Sequence, residues 1–201
     1  MNSKMPKHSE IVNYWKGKGI TSKGVVVNLK EVNFEEDVEI VIVDIGEPTC
    51  WACDKPINKV FENKRYNKLI KSDPVGIWDL KPVASSLERA HISPRALTNN
   101  NDVSNLFLLC PLCHKDSPDH VNESHFFRFV HTRRKRYAQG INKQELTDFY
   151  DALQSEDVKV ELSDFANIDI NSNRINTHGF DVSPSTLFSE ILDILKENGN
   201  N

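Results

Sequence analysis

The sequence predicts an α+β fold from three observations. Residues 25–27 are three consecutive valines, and Val38, Ile40 and Ile42 recur at period two, which is the spacing and the β-branched composition of strands. Apolar residues at helical spacing appear later in the chain, first at Phe126, Phe127, Val130 and Tyr137, and again at Leu146, Phe149, Tyr150 and Leu153. Between these regions two Cys-x-x-Cys pairs, Cys50/Cys53 and Cys110/Cys113, bracket a stretch of mixed character.

The N-terminal strands are expected to form a hairpin turning near residues 33–37. After the first cysteine pair, a Lys-rich and Pro-punctuated segment carries a short helix around residues 59–70. Residues 87–92 read as a strand that Pro94 ends, because proline cannot donate to a sheet ladder. Residues 98–102, Thr-Asn-Asn-Asn-Asp, form a loop, since Asn and Asp support Asx turns. Leu106 to Leu109 read as the returning strand. Pro111 then starts a helix, at a position that needs no N–H donor, and Pro118 keeps it short. A second, basic helix carries Phe126, Phe127 and Val130, which read as core. Asn142 with Glu145 opens a further helix, residues 155–182 resemble an acidic linker, and a last helix starts at Ser183-Pro184 and carries Leu187, Phe188, Ile191, Ile194 and Leu195.

At 201 residues the chain suits one compact domain with modest appendages. With 38% hydrophobic residues it is too apolar to be disordered throughout, and its longest apolar runs fall far short of the roughly 20 residues of a membrane span. Residues 1–10 lack the apolar core of a secretory signal, so a cytoplasmic, reducing setting and no membrane partner are expected. The net charge of −4 hides an uneven distribution. Residues 1–30 hold six lysines against one acid, residues 89–136 hold eight Lys/Arg against four acids, and residues 156–201 hold nine acids against three bases. One face suited to phosphates is the expected result.

In a reducing setting four cysteines in two Cys-x-x-Cys pairs point to a metal rather than to disulfides. Cys50, Cys53, Cys110 and Cys113 supply the four thiolates of a tetrahedral structural Zn²⁺. The competing readings are redox pairs or unbound core thiols. The 56 residues between the pairs exceed the spacing of a simple zinc ribbon, so the insert is expected to carry function.

That insert ends in Glu88-Arg89-Ala90-His91-Ile92-Ser93-Pro94, and Asn105-Leu106-x-x-Leu109 leads into Cys110-x-x-Cys113-His114. The His-Ile-x-Pro element, the Asn-rich loop and Asn-Leu-x-x-Leu-Cys-x-x-Cys-His resemble the HNH endonuclease family over roughly residues 50–120. The resemblance implies a ββα-metal core, here stapled by the four-cysteine zinc site, with N-terminal strands and C-terminal helices. The expected organisation is a strand-containing extension at 1–46, an HNH nuclease domain at 47–138 and an acidic helical extension at 139–201.

By the same resemblance His91, Asn105 and His114 are the catalytic residues. His91 would be the general base, a role its side chain suits near neutral pH. Asn105 would hold the loop and the imidazole, and His114 would ligate a catalytic Mg²⁺ or Mn²⁺. Ala90 departs from the pattern, because many relatives carry an Asp or His ligand there. Glu88 is the carboxylate expected to assist, ahead of Asp119. Arg89, Arg95, Arg128, Arg133, Arg134, Lys135 and Arg136 are the expected contacts to DNA phosphates. His8, His120, His125, His131 and His178 read as surface or packing residues, with His120 a reserve ligand. The implied activity is metal-dependent DNA hydrolysis leaving 5′-phosphate and 3′-hydroxyl ends. A non-catalytic zinc module binding nucleic acid or protein, and a thiol oxidoreductase, are the alternatives. The sequence leaves the oligomeric state open, a homodimer included.

Overall fold

A computed structural model describes residues 5–21, 23–31 and 38–138, together with Thr186, Ser189 and Asp193. Helix α1 (His8–Trp15) turns His8, Ile11, Val12 and Trp15 inward. It is followed by a three-stranded antiparallel sheet of β1 (Lys18–Thr21), β2 (Val26–Asn28) and β3 (Val38–Val41) in the order β2-β1-β3. The two strands read from the sequence are therefore not partners of each other, which corrects the expected hairpin. The strand between them, Lys-Gly-Ile-Thr, has no periodic apolar signal. Gly19 belongs there for a steric reason: a Cβ at that position would lie 2.9 Å from the Ile40 carbonyl oxygen and 2.6 Å from Val38 Cγ1. The expected turn at residues 33–37 lies outside the described residues.

The helix expected around 59–70 divides into a 3₁₀ turn at Asn58–Val60 and α2 (Tyr66–Ser72). Asp73 accepts the Gly76 N–H and opens a second 3₁₀ stretch, Pro74–Asp79, before the single turn α3 (Lys81–Ala84). Strand β4 (Glu88–His91) follows, then the short α4 (Arg95–Thr98), which ends on Asn99 in the left-handed region at φ 50°. A 3₁₀ turn at Val103–Asn105 feeds β5 (Leu106–Leu109), which pairs antiparallel with β4 so that His91 faces Leu106 and Glu88 faces Leu109. Helix α5 (Pro111–Asp116) follows at once, with Pro111 in its first turn, and α6 (Glu123–Ala138) is the basic helix. Helices and strands are thus mixed as an α+β fold requires.

Strand β5 is the centre of the packing. All four of its residues are buried, so both faces are covered and the apolar run does not alternate. Phe107 meets Trp15, Trp51 and Phe126 edge to face, with ring centroids 5.3, 4.8 and 5.4 Å apart. The Trp15 indole N–H donates to the Leu106 carbonyl at 2.7 Å, and the Trp51 backbone N–H donates to the Leu108 carbonyl at 3.0 Å. The N-terminal helix and the first cysteine turn are thereby fixed to the same strand. Phe126, Phe127 and Val130 are core, as the sequence indicates. No helix among the described residues is long and apolar enough to cross a membrane. The helix expected from Asn142 and the linker at 155–182 lie outside the described residues. Of the last helix Thr186, Ser189 and Asp193 are described, and all three are helical.

Candidate active site and metal centre

The sulfur atoms of Cys50, Cys53, Cys110 and Cys113 all lie within 4.8 Å of one another, and none is in a disulfide. Two tight turns bring them together. The Asp54 N–H donates to the Cys50 carbonyl at 2.8 Å, with Asp54 in the left-handed region, and the His114 N–H donates to the Cys110 carbonyl at 2.9 Å. The Cys110 N–H also points at the Cys50 sulfur at 3.2 Å, a donor that favours a thiolate. Zinc–sulfur bonds of about 2.3 Å need four sulfurs about 3.8 Å apart, and Cys53 and Cys110 are separated by 4.0 Å. The donor set therefore fits a tetrahedral zinc ion. Without a cation the four thiols cannot ionise together: the hydrogen bond between Cys113 and Cys110 holds Cys110 far below the ordinary thiol range and pushes Cys113 far above it.

His91 ends β4, half-buried, and its Nε2 lies 3.0 Å from Oδ1 of Asn101. Asn105 is almost fully buried and clamps the connecting loop at both ends. Its Oδ1 accepts the Ser93 N–H at 2.8 Å, while its Nδ2 donates to the carbonyls of Ser93 at 2.9 Å and Asn100 at 3.1 Å. Asn105 thus holds the backbone two residues beyond His91 rather than the imidazole. The side chain on the ring is Asn101, which the sequence reading passed over. Its signal was the Asn-rich loop, where any of three consecutive amides could turn back toward the strand.

His114 lies in the last turn of α5, and its Nδ1 is 2.7 Å from Oε2 of Glu88 on β4. An imidazole N–H donated to a carboxylate leaves the other ring nitrogen, Nε2, with its lone pair. Ala90 is completely buried and offers no ligand atom. Asp119 lies past the end of α5, and its backbone N–H donates to the Thr186 hydroxyl at 2.7 Å. Glu88 and His91 are three residues apart on one strand, about 10 Å between Cα atoms, and among the described residues no hydrogen bond joins His91 to His114.

The basic residues are differently disposed. Arg95 is exposed on α4, and Arg89 and Arg128 are half-buried. Arg133 pairs with Asp116 at 3.1 Å. Arg134 bonds Asp54 and the Val41 carbonyl, tying α6 to the first cysteine turn and to β3. Of Lys135 and Arg136 only the helical backbone is described.

A second cluster was not anticipated. His120 and His125 are almost fully buried, their rings 4.7 Å apart and perpendicular, and both face Asp193. His125 Nε2 donates to Asp193 Oδ1 at 2.8 Å, His120 Nε2 lies 3.7 Å from Oδ2, and the Asn122 amide donates to the same carboxylate. The Asn122 backbone N–H donates to His120 Nδ1 at 3.0 Å, so the His120 ring proton sits on Nε2 and faces the carboxylate. A metal at that nitrogen would require an imidazolate or a broken turn. The cluster is therefore a hydrogen-bonded clasp in which both ring nitrogens of His120 face protein groups.

Burial would raise the Asp193 carboxyl, but the hydrogen bonds and charges of His125, Asn122 and His120 outweigh it and bring its pKa down to about 2 from 3.8. A depressed carboxylate stabilises the fold above its unfolded pKa, and this contribution disappears as pH falls from about 4 to about 2. Asp193→Asn is expected to cost about 2 kcal/mol at pH 7. Urea unfolding of the zinc-loaded protein at pH 7 checks this, and an unchanged midpoint would contradict it.

Residues 78–119, from Trp78 through β4, β5 and α5, match the family model for HNH endonuclease. No match is found among curated proteins or among solved structures. The matched segment contains His91, Asn105, His114, Glu88 and the second cysteine pair. That segment is similar to an HNH endonuclease domain.

Proposed function

We propose that this chain is a divalent-metal-dependent DNA endonuclease, with residues 47–138 as its nuclease domain. The observation that carries the reading is the family match at 78–119 laid over a hairpin and helix that present His91 on β4 and a joined Glu88–His114 pair between β4 and α5. His91 takes the proton from the attacking water as that water adds in line to the scissile phosphorus. Asn105 keeps the loop beyond His91 closed, so the imidazole stays at the strand end. His114 is the residue that would hold Mg²⁺ or Mn²⁺, through Nε2, with the Glu88 carboxylate assisting by orienting the ring at Nδ1. When bound there, such an ion supplies positive charge to the scissile phosphate and the leaving 3′ oxygen. Cys50, Cys53, Cys110 and Cys113 hold structural Zn²⁺. Arg95 and the basic sequence of α6, Lys135 and Arg136 included, meet phosphates without reading sequence.

Supercoiled plasmid is the test. The zinc-loaded protein nicks it with Mg²⁺ or Mn²⁺ and not with EDTA. Retarded plasmid with no nicking under any divalent ion would instead establish a non-catalytic zinc module, the reading that the alanine at position 90 would favour.

Glu88→Gln is expected to raise the Mg²⁺ concentration for half-maximal nicking at least roughly tenfold, the usual effect of losing a carboxylate from a ligating histidine. Asp119→Asn has the smaller effect, because Asp119 lies outside α5. A larger shift for Asp119→Asn in metal titrations would reverse the assignment.

A further inference from the structure

We infer that Asn101 is a positioning residue for the proposed base: it holds the His91 proton on Nε2, so that the water proton is taken at Nδ1. The inference rests on His91 acting as a general base. The bond itself is direct, 3.0 Å between His91 Nε2 and Asn101 Oδ1, and Asn101 is buried at 9% exposure beside a half-buried ring.

The chemistry of the two groups decides which way the amide faces. A carboxamide can offer a neutral imidazole either its oxygen or its N–H. If the N–H faced Nε2, it would occupy the ring's one lone pair, Nδ1 would carry the proton, and neither nitrogen could accept another. With Oδ1 facing the ring, Nε2–H donates and Nδ1 keeps its lone pair. Only this second arrangement leaves a base. Among the described residues, His91 makes no other hydrogen bond that would compete for Nδ1.

The loop is built to hold the amide in place. Asn105 Nδ2 donates to the carbonyl of Asn100, the residue before Asn101, and the Asp102 N–H after it donates to Asn100 Oδ1 at 2.8 Å. Asn105 also grips both backbone atoms of Ser93, two residues past His91. The distance across the loop from residue 93 to residue 100 is thereby set by Asn105, and Asn101 converts it into a ring orientation. The two asparagines act in series, one on the backbone and one on the imidazole.

Two measurements on the full-length, zinc-loaded protein test this. Long-range ¹H–¹⁵N NMR, with His91 assigned by comparison with His91→Gln, reads the tautomer without reference to activity. The expected result is Nε2–H in the wild type and a tautomer mixture in Asn101→Ala. In single-turnover plasmid nicking, Asn101→Ala should fall about tenfold to a hundredfold, the range for a misplaced reacting group, with zinc content and melting temperature unchanged. Asn101→Asp keeps an oxygen acceptor and adds a negative charge. It should recover most of the rate above neutral pH and move the acid limb of the pH–rate profile up by about one unit. A purely structural role would give neither the recovery nor the shift.

Nδ1–H in the wild-type spectrum, or wild-type nicking by Asn101→Ala while His91→Ala is inactive, overturns the inference. Wild-type nicking by His91→Ala is a different result: it removes the base itself and with it any role for Asn101 in catalysis, whatever tautomer the spectrum reports.

Discussion

Cys110→Ser is expected to leave the protein without a cooperative fold, not merely without one ligand. Cys110 stands where β5 passes into α5, and its N–H already points at the sulfur of Cys50, so it joins the first cysteine turn to the end of the central strand. Structural zinc contributes about 10–16 kcal/mol of apparent binding free energy to folding, whereas whole domains are stable by only about 5–15 kcal/mol. Losing most of that interaction exceeds the margin. The variant is also left with three thiols in contact and no cation to offset them. Zinc release on denaturation and thermal melting by circular dichroism measure both quantities. A zinc-free Cys110→Ser protein that melts where the wild type does would show that the cluster is not a folding element.

His91→Ala is expected to show the opposite pattern, with activity lost and the fold kept. A general base contributes about 10²–10⁴ to rate, and removing it affects the transition state more than the native state. His91 is half-buried and makes one side-chain hydrogen bond, to Asn101, while the loop is held independently by Asn105. Single-turnover nicking should therefore fall by at least about a hundredfold, with zinc content, melting temperature and plasmid affinity close to wild type. A variant that nicks at the wild-type rate would assign the base elsewhere.

The parts of this architecture that could be read in the sequence are those where one local signal decides the outcome. The run Leu106 to Leu109 between an Asn-rich loop and a cysteine pair has one good solution, a short buried strand, and Pro111 marks the helix that follows. That Glu88 lies on the side of His114 could be read from strand alternation and a helix starting at Pro111, but the direct hydrogen bond between them could not. Strand β1 was not, since it contains a glycine whose value lies in close approach to β3 and contributes no periodicity. Helix α1 escaped notice for a related reason: its inward face is short, and it is fixed by distant partners, Ser9 to Asp79 and Trp15 to Leu106, 91 residues away. The clasp on Asp193 depends on a contact across 68 residues, between side chains that individually read as solvated or packed. The choice of Asn101 among three adjacent asparagines was fixed by the loop's curvature, which Asn99 in the left-handed region helps to set.

The dependence of Trp15, Trp51 and both cysteine turns on β5 has a consequence for the nascent chain. Ribosomes deliver residues in order, and the strand on which the first half of the domain leans is made in the second half. Between the emergence of Trp15 and that of Leu106 lie 91 residues, an interval of about 5–18 s at 5–20 residues per second. Throughout it Trp15 lacks its partner on β5 and Cys50 and Cys53 have only half of their set, although Ser9 of α1 can already bond Asp79. Contacts this far apart in sequence also carry a large closure cost before any packing gain is realised. A nascent chain halted at residue 105 should be digested by protease as readily as an unfolded peptide, while the completed protein resists. Protection of the halted chain would mean that the N-terminal part folds without its central strand.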